Sequence, residues 1–559
     1  MCPLLACGPD PRANGDDDGG CVDGELHCVG NTLQTCAGGV FEDTEECPLA
    51  CAEGIGCSVC VPGTGTCNGN DGHACNSDGS GYVDTTCDPT QGMTCDPNSG
   101  ECTGPCAPQN LGSSYIGCEY YPTVTGNMVS AGYNFAVAIA NTTTDVANVT
   151  IEGGPLATPL VIAVPPNAVK VQTLPWQPEL KLCSGPSWIN CSGGVQMDGA
   201  LAPKGAFHLR STSPVTVYQF NPLEYDLVAT VGENSFSNDA SLLLPTNVWK
   251  NDYYAAAWQQ AASVNPSELA VTAQFDNTQV TITSKAQTNA ANGAPALQPG
   301  TPQTVTLNAG DVIEVSSRTG DLTGSRITAD KPVQLISGHY CANVPDGVGY
   351  CDHIEESMFS IDALGRRYLV NAPAVTTIPS GKVEVVRVIA TQPNTNLTYN
   401  PPQPGAPTTI AQPGDFIEIP STAASFLIEA DQKVLVAQYM EGQDAGGGTG
   451  DPAMALAVPL EQFRTTYLFH APTNYESNYV DVTAPMGATV TLDGAPLAFT
   501  PIGTTGFGFV RVYPLNQGPG NDGNHSMFGD QPFGITVYGY GQYTSYWYPG
   551  GLNLTSILE

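Results

Sequence analysis

The sequence predicts an all-β protein. It reads as a large domain of about four tandem antiparallel β units, preceded by a small disulfide-rich region. The units form either a propeller-like ring or a β-sandwich array. Three observations carry this reading. Charged residues are only 13% of the 559, while 62 Gly and 46 Pro punctuate many short Val/Ile/Thr/Tyr runs, the composition of strands separated by turns. No helical periodicity of useful length is sustained, and no apolar run approaches the roughly 20 residues of a membrane helix. A turn-and-strand unit also recurs, as Ser213-Pro214-Val215, Lys331-Pro332-Val333, Gln432-Lys433-Val434 and, more loosely, Gln531-Pro532-Phe533, at spacings of 118, 101 and 99 residues.

In chain order, residues 1–20 read as a polar, Asp/Gly-rich tether. Leu4-Leu5-Ala6-Cys7 resembles the lipobox at which bacterial signal peptidase cuts before a cysteine that becomes lipidated. No basic or full apolar stretch precedes it, as such a signal would require. A lipid on Cys7 would anchor the protein to a membrane without spanning it.

Residues 21–118 read as a disulfide-rich repeat region. Fourteen of the 20 cysteines fall there. From Cys21 the steps run 7, 8, 11, 4, 6 and 3; from Cys60 they run 7, 8, 12, 8, 7 and 4. One six-cysteine unit of about 39 to 46 residues is therefore used twice, leaving Cys106 and Cys118 to pair. Units this small bury too little apolar surface to hold alone, and cross-links supply the difference. Six cysteines allow 15 connectivities, and spacing does not choose among them. Dense cysteines in even number point to an oxidising compartment and so to export. Zinc at Cys57-x-x-Cys60 lacks a matching partner pair. The oxygen-rich run Asn76–Gly81 reads as a turn, because Cys87 stands where a calcium loop needs an acid.

Residues 119–559 read as the β domain. Ala136–Ala140, Asn148–Ile151 and Ala168–Val171 alternate as strands. Two further elements recur: Ala309–Val315 with Pro413–Ile419, and Trp249–Tyr254 with Leu364–Leu369 and Phe463–Leu468. In the second copy Pro332 fixes the turn and is expected ahead of the strand, since proline cannot donate to a ladder. The segment after that copy is not repeated elsewhere: a loop bracketed by Cys341 and Cys351 around the turn residues Pro345–Gly349. Cys183 and Cys191 form a second close pair, expected as a disulfide. The symmetric His339-x-Cys341 and Cys351-x-His353 admit a zinc reading, but the compartment favours a disulfide. The aromatic end, Gly534–Tyr548, reads as a closing strand packed on the core, with a contact surface of Tyr538, Tyr540 and Tyr546 as the second reading.

Ile116-Gly117-Cys118-Glu119-Tyr120-Tyr121, Ile327–Val333, Gly338-His339-Tyr340-Cys341 and Cys351–Glu356 resemble the N-terminal domain family of the IgG Fc-binding protein, over about 113–559. Members of that family occur in bacterial surface proteins fused to cysteine-rich segments. The resemblance implies an extracellular binding or adhesive module; it does not imply antibody as the ligand.

The formal net charge is −36, which repels nucleic acid and anionic lipid and keeps an exported protein soluble. No nucleophile elbow, zinc-protease helix or phosphate loop is present in the sequence, and no cofactor is called for. The expected function is therefore non-enzymatic attachment to an extracellular protein or glycan. The contact set is taken from the unrepeated loop: His339, Tyr340, Asp346, Tyr350, Asp352, His353 and Glu355. A secreted hydrolase using residues 338–356 and a structural envelope component are the competing readings.

Overall fold

A computed structural model describes residues 20–181, 198–259, 265–375, 382–445, 448–516 and 521–557. Cys7 lies outside the described residues, and so does the expected disulfide between Cys183 and Cys191. The chain divides into two compact units, one running to Pro89 with Met93–Ala107, the other comprising Thr90–Gly92 with Pro108–Glu559. The division falls at residue 107, earlier than the expected 118. Cys118 already stands in strand Gly117–Tyr120, which pairs within the β domain. Cys106 and Cys118 are each disulfide-bonded.

In the first unit both repeats use the same connectivity: first cysteine to third, second to fifth, fourth to sixth. The bonds are Cys21–Cys36, Cys28–Cys51 and Cys47–Cys57, then Cys60–Cys75, Cys67–Cys95 and Cys87–Cys102. Each repeat carries one three-stranded sheet, Leu26–Val29/Thr32–Ala37/Val40–Glu46 and Gly65–Asn68/Asp71–Cys75/Tyr82–Thr86. The core of the first repeat is little more than Leu33 against Cys47 and Cys51. Val40 and Val83 are exposed on its strands and those of its sister. Asn76–Gly81 is closed by its own side chains, with the Ser80 amide donating to Asp78 Oδ1 (2.9 Å) and the Gly81 amide to Asn76 Oδ1 (3.2 Å).

The second unit is four copies of one antiparallel module, closing at strands Asp239–Leu243, Asp352–Ser357, Met454–Leu456 and Thr544–Pro549. Each copy is built on a long strand shared by two sheets. These are Phe207–Asn221, Arg326–Ala342, the nearly continuous pair Ser425–Ala430/Val434–Met440, and Asn524–Gly541. The first half of the long strand pairs with the module's opening strand, the second half with its closing strand.

The recurring sequence unit sits where the long strand changes sheet. Residues 330–332 fall between the two paired stretches. Pro332 is therefore inside strand Arg326–Ala342 and does not precede it, which corrects the expected boundary. At a changeover no ladder claims the amide, so a residue without an N–H loses nothing.

A buried tyrosine pins each changeover. The Tyr120 hydroxyl accepts from the Gly117 amide (3.0 Å) and donates to the Val215 carbonyl (2.6 Å). Tyr253 does the same between Lys250 and Val333 (2.9 and 2.9 Å), and Tyr368 between Gly365 and Val434 (2.9 and 2.6 Å). Tyr467 joins Arg464 and Phe533 in the fourth copy. A hydroxyl that is donor and acceptor at once satisfies two backbone groups that a sheet change would leave bare.

The two sheets of a module enclose one core. In the third, Tyr368, Phe426 and Ile428 of one sheet pack on Val386, Val388 and Val436 of the other. The third module has two separate sheets, and in the other three one sheet turns along its long strand, so each is a sandwich-like unit. The four closing strands touch in cyclic order, and every residue of them is buried. The sandwiches therefore form a ring. Asp239 clasps it: its carboxylate accepts the amides of Ala240 (2.9 Å), Glu355 (3.0 Å), Met454 (3.3 Å) and Trp547 (3.1 Å), one from each module. Tyr538, Tyr540 and Tyr546 are buried, which leaves the core reading of the aromatic end. Between the second and third modules, buried Arg387 donates to the Ala257 carbonyl, Asp321 and Thr323 (each 2.8 Å) and lies 3.9 Å over the Trp258 ring.

Candidate functional site

In every module the long strand is joined to the closing strand by one connection. These are residues 222–238, 343–351, 441–453 and 542–543. Because the closing strands meet, the four topologically equivalent connections converge. They surround a cleft of about 320 Å³, mainly apolar, lined by Phe236 and Ser237 of the first, Tyr350 and the Cys341–Cys351 disulfide of the second, Asp451 of the third and Tyr543 of the fourth, with Met128.

Three rings form the walls. Tyr350 and Tyr543 stand edge to face with centroids 4.7 Å apart, and Phe236 and Tyr543 likewise at 6.0 Å. Tyr350 is 53% exposed, unusual for a tyrosine in this domain. Phe236 (φ 52°) and Tyr543 (φ 59°) both hold left-handed backbone, costly for an aromatic residue and kept only where the surroundings impose it.

The disulfide, S–S 2.02 Å, closes the second connection. Such a loop closure contributes about 2–4 kcal/mol by restricting the unfolded chain. Next to it Gly338 has no alternative, since a Cβ there would lie 1.8 Å from the Ile354 carbonyl oxygen.

The residues that follow the lining in sequence, Asn238, Asp352 and Thr544, belong to a polar and closely engaged buried layer. Asp352 Oδ1 accepts the Asn238 (2.8 Å) and His353 (2.9 Å) amides, and Oδ2 accepts Thr544 Oγ1 and the Ser545 amide (both 3.0 Å). Glu355 accepts from Thr125 (2.5 Å), Gln219 (2.7 Å) and Asn221 (3.1 Å). His353 Nε2 is 3.2 Å from Asn221 Nδ2. Glu268 and Glu314 are buried beside this group, and none of their carboxyl oxygens has a hydrogen bond of ordinary geometry among the described residues. Burial raises both well above the ordinary value, helped by repulsion from Glu355 and, for Glu268, first from Glu314. Gly126 makes room for them, since a Cβ there would meet Glu268 Oε2 at 2.4 Å and the Tyr340 ring at 2.8 Å.

The seven residues expected as a contact set thus divide. Tyr350 lines the cleft, and Asp346 is exposed on the same connection. His339, Tyr340, Asp352, His353 and Glu355 are buried and do not line the cleft, so they present no exposed surface. Burial depresses the His339 pKa to about 3, and its Nδ1 accepts the Cys341 amide at 3.0 Å. The sequence reading missed Phe236, Ser237, Asp451, Tyr543 and Met128. For the first four the available signal was the repeat: each lies in the connection that comes after a copy of the turn-and-strand unit.

The sequence model of the family described as IgGFc binding protein matches residues 239–539. The match opens at the Asp239 clasp and ends within the fourth long strand. The human IgGFc-binding protein is 31% identical over 164 residues, 29% of this chain but 3% of that protein. Two solved structures align over most of the chain, the BSP domain of a biofilm-associated protein (7% identity, 80% of this chain and 97% of that one, TM-score 0.12) and a tetra-tandem repeat in the extending region of a large adhesion protein (12%, 78% and 99%, TM-score 0.09). Superpositions this poor carry no argument. The family match spans more than half of the chain, and the chain belongs to the IgGFc-binding protein family.

Proposed function

We propose that this chain is an exported, non-catalytic binding protein that docks an extracellular protein partner on the cleft around Tyr350. One observation carries the reading: four equivalent connections, one per module, converge on a single apolar cleft with aromatic walls. Scaffolds place function on the connections that a rigid core positions, and aromatic anchors in a desolvated pocket dominate docking energies. Attachment to a surface through lipid on Cys7 belongs to this proposal and is checked by labelling cells with an alkyne fatty acid.

The test screens the full-length chain against immobilised extracellular proteins, IgG Fc among them, and a glycan array. A Tyr350→Ala/Tyr543→Ala variant is run beside it. Protein hits that the variant loses support the reading. Undiminished hits move the site elsewhere, glycan hits alone replace the partner class, and turnover on a hydrolase panel replaces the function.

A further inference from the structure

The cleft has one polar feature that the fold does not use. Asp451 is buried, and its Oδ1 accepts the Gln443 amide at 3.0 Å. Its Oδ2 accepts no hydrogen bond of ordinary geometry among the described residues, the Tyr350 amide being its near donor, although Asp451 lines the cleft. A buried carboxylate oxygen without a donor is costly. Burial pushes its pKa up to about 6, against the pull of the Gln443 amide, the Lys382 ammonium and the nearby Tyr350 amide.

Its surroundings are rich in carboxyl groups. Lys382 donates to the carbonyls of Thr449 (3.2 Å) and Gly450 (2.8 Å), and the carboxyl groups of Asp451, Glu441 and Asp352 act on it. Asp444 stands on the other side, where a Cβ on Gly349 would lie 3.0 Å from its Oδ2. One cation among the described residues thus faces four carboxyl groups. The walls, Phe236, Tyr350 and Tyr543, present ring faces and edges at steep angles to one another, the arrangement that attracts a cation desolvated between aromatic rings.

Resting on the docking reading above, we propose that the cleft receives a lysine side chain of the partner protein, its ammonium set among the three rings and donating to Asp451 Oδ2. Lysine fits better than arginine. Only one carboxylate oxygen lacks a donor of ordinary geometry, whereas a guanidinium is matched by two in parallel. The large negative charge of the chain, −36, favours approach of a basic segment.

The experiment titrates the full chain with capped pentapeptides Gly-Gly-X-Gly-Gly, where X is lysine, norleucine or arginine, by tyrosine fluorescence or NMR line shifts. The lysine peptide is expected to saturate and to bind about tenfold or more above norleucine, with arginine between. Tyr350→Ala, at an exposed position, should weaken lysine binding about tenfold while leaving the melting temperature unchanged. Asp451→Asn should abolish the lysine-over-norleucine preference, and in the parent protein that preference should fade as pH falls below about 6. Equal binding of lysine and norleucine overturns the cation inference and keeps the docking cleft. No binding of any peptide, with partner capture still lost in Tyr350→Ala/Tyr543→Ala, does the same. Lysine preference retained in both Tyr350→Ala and Asp451→Asn overturns it outright.

Discussion

The first unit and the ring solve the same problem by opposite means. Both are made of repeats whose β-strands cannot hold alone. The first unit ties each repeat internally, with three disulfides in one connectivity and almost no apolar core. The ring ties its repeats to one another, through buried strands, a shared carboxylate and a cation between modules. Covalent stapling keeps a repeat independent of its neighbours; packing makes each module depend on the rest. The difference predicts where the molecule will fail.

The largest effect should come from reduction. Dithiothreitol added to the whole chain should unfold the first unit completely while the ring keeps its far-UV β signal and its own thermal transition. Loss of both together would erase the contrast. Next is the cation between modules. Arg387→Met leaves the half-buried Asp321 without its partner. It should cost about 3 kcal/mol, the lower end for a broken buried pair because Asp321 keeps some water, read as a shift in the ring's denaturant midpoint. Removing the ring's staple with Cys341→Ala/Cys351→Ala should cost about 2–4 kcal/mol. A loss as complete as that in the reduced first unit would show that the ring also depends on cross-links.

The changeover tyrosines test whether the modules are equivalent. Tyr253→Phe and Tyr368→Phe each strip a hydroxyl that serves two buried backbone groups, at about 1–3 kcal/mol apiece. Similar losses are expected from both, and a tenfold disparity in unfolding constant would show that one module bears more of the ring than the other. The smallest effect concerns Glu314. Its folded pKa lies well above 4.5, so its contribution is full below the ordinary glutamate value and is lost as pH rises through the folded value. The ring should therefore melt lower at pH 8 than at pH 4.5. Glu314→Gln should narrow that gap by the order of 2 °C, measured by calorimetry at both pH values.

Much of the fold was legible because repetition writes itself into sequence. The spacing of Val215, Val333, Val434 and Phe533 marked four modules, and composition marked them as strands. The sandwich was not legible, because alternation is the same for a strand in one sheet and for a strand shared by two. Pro332 was misjudged for that reason: proline rules assume a continuous ladder, and here the ladder changes partners. The fifth position of Trp249–Tyr254, Leu364–Leu369 and Phe463–Leu468 repeated a tyrosine, yet only the changeover explains it. The site was legible at Tyr350, on the loop that broke the repeat. His353 and Glu355, two and four residues beyond the cysteine, looked like loop chemistry. Strand Asp352–Ser357 carries them into the core instead. Phe236, Asp451 and Tyr543 lie a hundred residues or more from that loop in sequence, and only the meeting of the closing strands brings them together.

The clasp at Asp239 has a consequence for the order in which the ring can be completed. A growing polypeptide offers this carboxylate its own neighbour's amide first, then Glu355, then Met454, and last Trp547. Until that last donor arrives, a group that burial drives toward neutrality lacks part of its compensation. A chain cut before Thr544 lacks the Trp547 amide and leaves Asp239 with three of its four donors. Asp239 thus reports on all four modules at once: its full set of donors exists only when every member of the ring is in place.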